Sequence, residues 1–150
     1  VTGVQTCALP IYVGLAGYGF FGAGCPGALG IPRVLNTTLP TLGGTLATTL
    51  SGLQNGLAVM VVGTSNVVSG GLLPLPLDLT PLGAPGCRLR VSLDVTDTVV
   101  GAGNTASWNF GIPNNSALIG FQLFNQAASL DTANAFGFVM SDAYAWMVGI

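Results

Sequence analysis

Glycine and proline interrupt this chain so often that few of its segments are long enough for a helix. The 150 residues include 23 Gly and 9 Pro, and both residue types disfavour helix interiors. Glu and Lys, two good helix formers, are absent from the sequence. Between the interruptions lie short segments in which apolar and polar residues alternate, as in strands with one buried face. The sequence therefore predicts an all-β fold.

Regular alternation marks the predicted strands. Residues 45–51 and 105–110 each carry one apolar face. Residues 57–62, LAVMVV, are continuously apolar, which is typical of a strand covered on both faces. Residues 87–95 alternate most strictly, and their odd-numbered positions are predicted to face inward. Further strands are predicted at 119–123, 137–140 and 143–148. Together these segments predict an antiparallel β-sandwich of about seven or eight short strands.

Other segments depart from simple alternation. Residues 18–32 are rich in glycine and are predicted to be irregular. Residues 73–79 alternate leucine with Pro, Asp and Thr, and because proline cannot donate to a ladder, they predict an edge strand or an extended crossing segment. Residues 84–87 have Pro and Gly where a type II turn requires them. The apolar phase shifts at Phe124, which predicts a bulge near Leu123.

The first eleven residues, VTGVQTCALPI, differ in character from the rest of the chain. Written back into codons, they resemble a common short-read sequencing adapter; a natural N-terminus with the same letters is the alternative. We therefore interpret residues 1–11 as an adapter-derived artefact and residues 12–17 as a truncated linker. A single β-sandwich domain is then expected over residues 18–150, and Cys7 is not counted among the cysteines of the protein.

The two remaining cysteines, Cys25 and Cys87, form an even pair in a chain of secreted character. Such a pair predicts a disulfide and an extracellular or cell-surface location. Two buried free thiols are the alternative.

The scarcity of charge excludes several classes of partner. Charged residues make up 5% of the chain, with a net charge of −2, against about a quarter in typical soluble proteins. Nucleic-acid recognition requires clustered Lys and Arg, so no nucleic acid is expected as a partner. No membrane insertion is expected either, because seven glycines and Pro26 interrupt the uncharged run between Tyr12 and Ile31.

The absence of histidine removes most catalytic arrangements. Without it, no serine or cysteine has a base to activate it, and no zinc site can be assembled from two cysteines. A pair of carboxylates is the remaining enzymatic arrangement. Asp94 and Asp97, however, lie where a strand runs into a turn, and Asp131 and Asp142 lie in turn-like segments, where Asp commonly accepts hydrogen bonds from nearby backbone. We therefore predict no catalytic residues and no enzymatic activity.

Two ligand sites are conceivable from residue type alone. Asp94 and Asp97, with the region of Asn104, could supply oxygen ligands to Ca²⁺, the one cofactor considered; solvated turn residues are the alternative. Tyr144 and Trp146 share one face of the last predicted strand and could form a platform for sugar rings. Aromatic side chains at alternating strand positions are more often part of a core, and core is the expected role of both Trp146 and Trp108.

Four segments carry a resemblance to a known kind of domain: YGFFGAGCPGALGIPRV, LPLPLDLTPLGAPGCRLRV, IPNNSALIGFQLFNQA and NAFGFVMSDAYAWMVG. Together they resemble a C-terminal β-rich domain of large secreted proteins of environmental bacteria, over about residues 18–149. The paired patterns Gly-Cys-Pro-Gly and Pro-Leu-Gly-Ala-Pro-Gly-Cys are its most specific parts. The resemblance implies a secreted or surface module with no catalytic residues to transfer, and it supports pairing Cys25 with Cys87.

These observations lead to one functional expectation and one alternative. We expect a non-catalytic structural, adhesion or surface-association module at the C-terminal end of a larger extracellular protein. Its partners would be other domains of that protein, an extracellular matrix or surface glycans. The alternative is a carbohydrate-binding module that uses exposed aromatic side chains.

Overall fold

The structure, a computed structural model, describes residues 14–150, so the adapter-like segment 1–11 and Cys7 lie outside the described residues. Within residues 14–150 there are twelve strands and two short 3-10 helices, which confirms the all-β class. The strands are β1 (Gly17–Gly22), β2 (Arg33–Asn36), β3 (Thr45–Ser51), β4 (Leu57–Gly63), β5 (Val68–Ser69), β6 (Leu73–Pro74), β7 (Leu77–Asp78), β8 (Arg88–Leu89), β9 (Val95–Val100), β10 (Thr105–Gly111), β11 (Gln122–Leu130) and β12 (Phe138–Met147). The 3-10 helices are Thr80–Leu82 and Ser116–Leu118.

Two sheets form the body of the domain. The larger sheet has the strand order β1-β12-β11-β4-β9, and the smaller sheet has the order β10-β3-β2. All neighbouring strands in both sheets are antiparallel. The remaining strands form two short hairpins, β5-β6 and β7-β8.

One apolar cluster lies between the two sheets. The larger sheet contributes Met60 and Trp146 to it, and the smaller sheet contributes Leu46, Leu50 and Trp108. All five side chains are buried. Side chains from facing sheets that share one core are what a sandwich requires. The expected core role of Trp108 is confirmed.

The outer face of the larger sheet is covered by residues 64–94, here called the crossing segment, which carries both short hairpins. Leu79, Ala84, Cys87 and Leu89 of the crossing segment pack with Met140 of β12 in a second buried cluster. The larger sheet is therefore covered on both faces, and this explains why β4 is apolar at nearly every position.

The strands with the most regular patterns formed as predicted. β3, β4 and β10 match the alternating or apolar segments in position, and Ala106 and Trp108 face the core. The predicted turn at residues 84–87 is also confirmed, because the Cys87 N–H donates to the Ala84 carbonyl at 3.1 Å and Gly86 has a φ of 77°.

The prediction of one long strand over residues 87–95 was wrong. Only Arg88–Leu89 pairs as a strand before β9 begins, and Leu93 and Val95 are exposed whereas Ser92 is buried. The cause is an exchange of hydrogen bonds with a serine 27 residues earlier in the chain. The Ser92 N–H donates to the Ser65 carbonyl at 2.9 Å, and the Ser92 hydroxyl accepts the Ser65 N–H at 3.1 Å. This pairing turns Ser92 inward.

The predicted bulge was also misplaced. The register of β11 against β12 shifts between Gln126 and Ala128 rather than near Leu123. The two strands predicted at 137–140 and 143–148 are one strand, β12, whose ten residues pair with β1 and β11 on either side.

The start of the domain differs from the prediction in two ways. Part of the segment predicted to be irregular, residues 18–32, belongs to β1, which pairs with β12. The predicted linker at 12–17 overlaps β1 at Gly17. In addition, the carbonyl of Gly14 accepts the N–H of Ile150 at 2.6 Å. Residues 14–17 are therefore part of the fold.

Candidate functional site

Two aspartates hold the Gly-Cys-Pro-Gly segment against the larger sheet. Asp142 accepts the Gly24 N–H at 2.9 Å. The buried Asp131 accepts the Ala28 N–H at 3.1 Å with each of its oxygens. The glycines are required by this close approach, because a Cβ on Gly24 would clash with the Met140 carbonyl and one on Gly27 with Asp131. Both carboxylates therefore have structural roles.

Two other aspartates stabilise the crossing segment. Asp94 accepts the Thr64 N–H at 2.8 Å, the Thr64 hydroxyl at 2.9 Å and the Ser92 hydroxyl at 2.9 Å. Asp78 accepts the N–H and the hydroxyl of Thr80 at 2.9 and 2.7 Å. The Thr64 N–H and then the Ser92 hydroxyl lower the pKa of Asp94, and the hydroxyl and N–H of Thr80 lower the pKa of Asp78. Hydrogen bonds to the charged form lower a carboxyl pKa in this way.

The Asp94 contacts predict a measurable pH effect. In Thr64→Val, which removes one hydroxyl donor, we expect the pKa of Asp94 to rise toward its ordinary value. A carboxyl whose folded-state pKa is lowered contributes stability above its unfolded pKa and loses it as the pH falls through the folded pKa. The variant is therefore less stable than the parent at neutral pH, and the difference vanishes in strong acid. Carboxyl NMR titration and urea unfolding measure both quantities. An Asp94 pKa that stays where it is, or that moves equally in Thr98→Val, would contradict this role of Thr64.

The calcium site predicted at Asp94 and Asp97 is not assembled. Asp97 accepts the Trp108 indole N–H at 2.9 Å, whereas Asp94 is bound to Thr64 and Ser92. Positions three apart in an extended chain point to opposite faces, so the two carboxylates do not converge. The side-chain amide of Asn104 donates to the Leu53 carbonyl at 2.9 Å. Within residues 14–150, no group of three or more His, Cys, Asp or Glu could hold a metal ion.

The aromatic platform considered for Tyr144 and Trp146 does not form, because both side chains are buried. The two side chains are 6% and 1% exposed, and both belong to the core between the sheets. The Tyr18 ring stacks on Tyr144 with centroids 5.1 Å apart, and the rings of Phe110 and Trp146 pack edge to face with centroids 5.4 Å apart. Burial raises the pKa of the Tyr144 phenol. Neither side chain offers a free face to a sugar ring.

The disulfide predicted between Cys25 and Cys87 is present. It joins the Gly-Cys-Pro-Gly segment, which is bound to the larger sheet, to the crossing segment. Both cysteines are buried. The Cys25 N–H donates to the Met140 carbonyl at 2.9 Å. The disulfide therefore fastens the crossing segment to β12 at a defined place.

A groove of about 350 Å³ lies between the crossing segment and the outer face of the larger sheet. We call it the apolar groove. Its leucines all come from the crossing segment: Leu73, Leu77, Leu79, Leu82, Leu89 and Leu93. The larger sheet contributes Val59 and Val61 of β4, Thr96 of β9, Ala128 of β11, and Phe138 and Met140 of β12, and the lining also includes Phe136.

The interior of the apolar groove presents no polar surface. Thr96 is the one lining residue with a polar side chain. Val61 and Met140 are buried, whereas Leu82 and Leu93 are 56% and 51% exposed. The groove is therefore open to solvent on the side where these two exposed leucines lie. Concave apolar sites of about 300–1,000 Å³ are the usual form of small-molecule sites.

Several contacts hold the crossing segment in place over the sheet. The buried Gln126 of β11 accepts the Arg90 N–H at 2.9 Å and donates to the Arg88 carbonyl at 3.1 Å. The Ser69 hydroxyl accepts the Leu93 N–H at 3.0 Å. With the disulfide and the bonds of Asp94, these contacts fix the crossing segment over the outer face of the larger sheet.

Sequence reasoning identified part of the groove but not the groove itself. The alternation over residues 73–79 predicted an apolar face, and that face lines the groove. Its opposite wall comes from distant strands, so no local pattern pairs them. A run of alternating leucines outside the regular strands was the available signal.

No helix within residues 14–150 has both the length and the apolar character that a membrane-spanning segment needs. Comparison with protein-family models, curated proteins and solved structures finds no match to this chain.

Proposed function

We propose that this chain is a non-catalytic extracellular module of a larger secreted protein, and that it holds that protein to a surface or matrix through the apolar groove. The observation that carries the proposal is the groove itself, an open concave site with no polar surface in its interior. Exposed apolar surface of this kind typically marks interaction or ligand sites.

The arrangement of the carboxylates favours a non-catalytic role. Each of the five aspartates accepts hydrogen bonds from nearby backbone or side-chain groups. None of them lines the apolar groove. A glycosidase-type pair would instead place two carboxyls on either side of a cleft.

The disulfide and the sparse charge support an extracellular, surface-bound role. Disulfides persist in oxidising compartments and are rare in the cytosol. With 5% charged residues, the domain has few like charges to repel a neighbouring surface. The resemblance to a C-terminal domain of large secreted bacterial proteins points to the same role.

Retention on surfaces of defined chemistry tests the proposal. Beads coated with the full chain are expected to remain on alkylated glass under flow and to wash off plain glass. Leu82→Asp, which places a charge at the groove, should reduce retention several-fold because a carboxylate must lose its hydration to make the contact. The matched control is Leu35→Asp on β2, since Leu35 is 53% exposed and does not line the groove.

Two outcomes would contradict the proposal. One is that the beads wash off alkylated glass as readily as plain glass. The other is retention on polysaccharide films that Leu82→Asp does not change, which would favour the carbohydrate-binding alternative at a different surface.

A further inference from the structure

We propose that the apolar groove binds a single linear hydrocarbon chain and leaves the head group of that chain in solvent. This inference rests on the proposed function, because it names what the groove takes from a surface. Its test is nevertheless separate from the bead experiment.

The chemistry of the lining selects hydrocarbon over peptide or sugar. An extended peptide would bring backbone N–H and C=O groups into a groove whose interior presents no polar surface. Burying each such group without a hydrogen-bond partner carries a desolvation penalty. Sugar hydroxyls would carry the same penalty. A hydrocarbon chain has no group that needs a partner.

The side chains in the lining favour an aliphatic ligand over an aromatic one. The walls are formed mainly by leucine and valine. The two aromatic side chains in the lining, Phe136 and Phe138, contact each other with ring centroids 5.8 Å apart. An aromatic ligand would therefore gain little from stacking, whereas an alkyl chain gains from burial along the whole groove.

Size and access also fit a hydrocarbon chain. A dry apolar cavity of about 150 Å³ binds one benzene molecule, and this groove holds about 350 Å³. The groove is therefore larger than the space that one benzene ring needs, and it accommodates a chain of several methylene groups. The exposed Leu82 and Leu93 border solvent, so a chain can enter while its head group remains outside.

The groove is preformed, which lowers the cost of binding. Cys87, on the crossing segment, is bonded to Cys25, and Gln126 joins β11 to the backbone of Arg88 and Arg90. A preformed site does not have to order its walls when the ligand arrives, so more of the burial free energy appears as affinity.

Titration with short alkyl compounds below their micelle concentration tests the inference. The series combines hexyl, octyl and decyl chains with carboxylate, trimethylammonium and hydroxyl head groups, and calorimetry measures Kd. We expect Kd to fall about fourfold for each added methylene until the groove is full. Because the groove interior offers no polar surface, the increment should be the same for all three head groups.

Variants localise the binding. Leu82→Asp should weaken decyl binding at least tenfold, while Leu35→Asp leaves Kd unchanged. The inference would be overturned if both variants lost the same affinity for the decyl compounds or if Kd did not depend on chain length. It would also be overturned if only the compounds with one kind of head-group charge were bound. Sedimentation experiments could also overturn it. If the protein is a dimer and the groove becomes exposed only when dilution dissociates that dimer, the occupant of the groove is a second copy of the chain.

The two proposals fail in distinguishable ways. Beads retained on alkylated glass without binding of soluble alkyl chains would support surface association and refute the single-chain site. Chain-length-dependent binding in solution without bead retention would support the site and refute the surface-association role.

Discussion

Replacing both bridging cysteines, in Cys25→Ser with Cys87→Ser, should lower the free energy of unfolding by about 4 kcal/mol. The disulfide closes a loop between cysteines 62 positions apart in sequence, and in the chain-entropy model its loss frees that loop in the unfolded state. A domain of this size has a total stability of about 5–15 kcal/mol, so the loss is a large part of the whole. Urea unfolding followed by tryptophan fluorescence measures it, since Trp108 and Trp146 are both buried.

The double substitution leaves neither bridging cysteine as a free thiol that could pair with Cys7. Cys7→Ser is the matched control because it makes the same chemical change at a residue outside the pair. We expect the control to unfold at the urea concentration of the parent. A double variant as stable as the control would mean that the crossing segment is held by its other contacts alone.

The second large effect is expected at Gln126, and Gln126→Ala should destabilise the domain by about 3–5 kcal/mol. The side chain is fully buried. It accepts the Arg90 N–H at 2.9 Å and donates to the carbonyls of Arg88 and Ser141 at 3.1 and 3.0 Å. Removing it takes this partner from three backbone groups, and a fully buried unsatisfied group costs about 1–3 kcal/mol. The bond to Ser141 is buried, whereas the two bonds to the crossing segment are partly buried, so the summed cost lies in the lower part of the range for three such groups.

Two companion variants separate hydrogen bonding from packing. Gln126→Glu keeps the shape of the side chain but removes both amide donors and buries a carboxyl, so we expect it to be at least as destabilising as Gln126→Ala. Gln122→Ala changes the same residue type at an exposed position of the same strand. It should change stability by less than about 0.5 kcal/mol. A mild effect of Gln126→Glu would show that packing, rather than hydrogen bonding, is the main contribution.

Alternation of apolar and polar residues correctly predicted the strands in which the apolar side chains are buried and the polar ones are exposed. β3 and β10 show regular alternation, and each has one face on the core. The pattern failed at Ser92, a polar residue that is buried because its partner Ser65 lies elsewhere in the chain. Alternation identifies two faces of a strand, but the other segments of the chain decide which face is covered.

The candidate site was less predictable than the fold for the same reason. Tyr144 and Trp146 were correctly placed on one face of a strand, but the sequence does not state that this face meets the smaller sheet. The groove needs leucines from the crossing segment and valines from β4 together. Gln126, whose side chain links β11 to the crossing segment, is one polar residue within a strand, and its hydrogen-bond partners lie 15 to 38 residues away.

The pairing of β1 with β12 determines how the domain would respond to mechanical tension. Gly17 pairs with Met147, so tension applied to the two ends of the described chain loads the antiparallel hydrogen bonds one after another from that pair. Bonds loaded in sequence break at lower force than bonds loaded together, and β1 would therefore peel away first. Cys25 follows β1 by only three residues and is bonded to Cys87. Once β1 is pulled free, the crosslink passes the load from Cys25 directly to Cys87 and relieves residues 26–86 between them, so unravelling from the N-terminal side stops at Cys25.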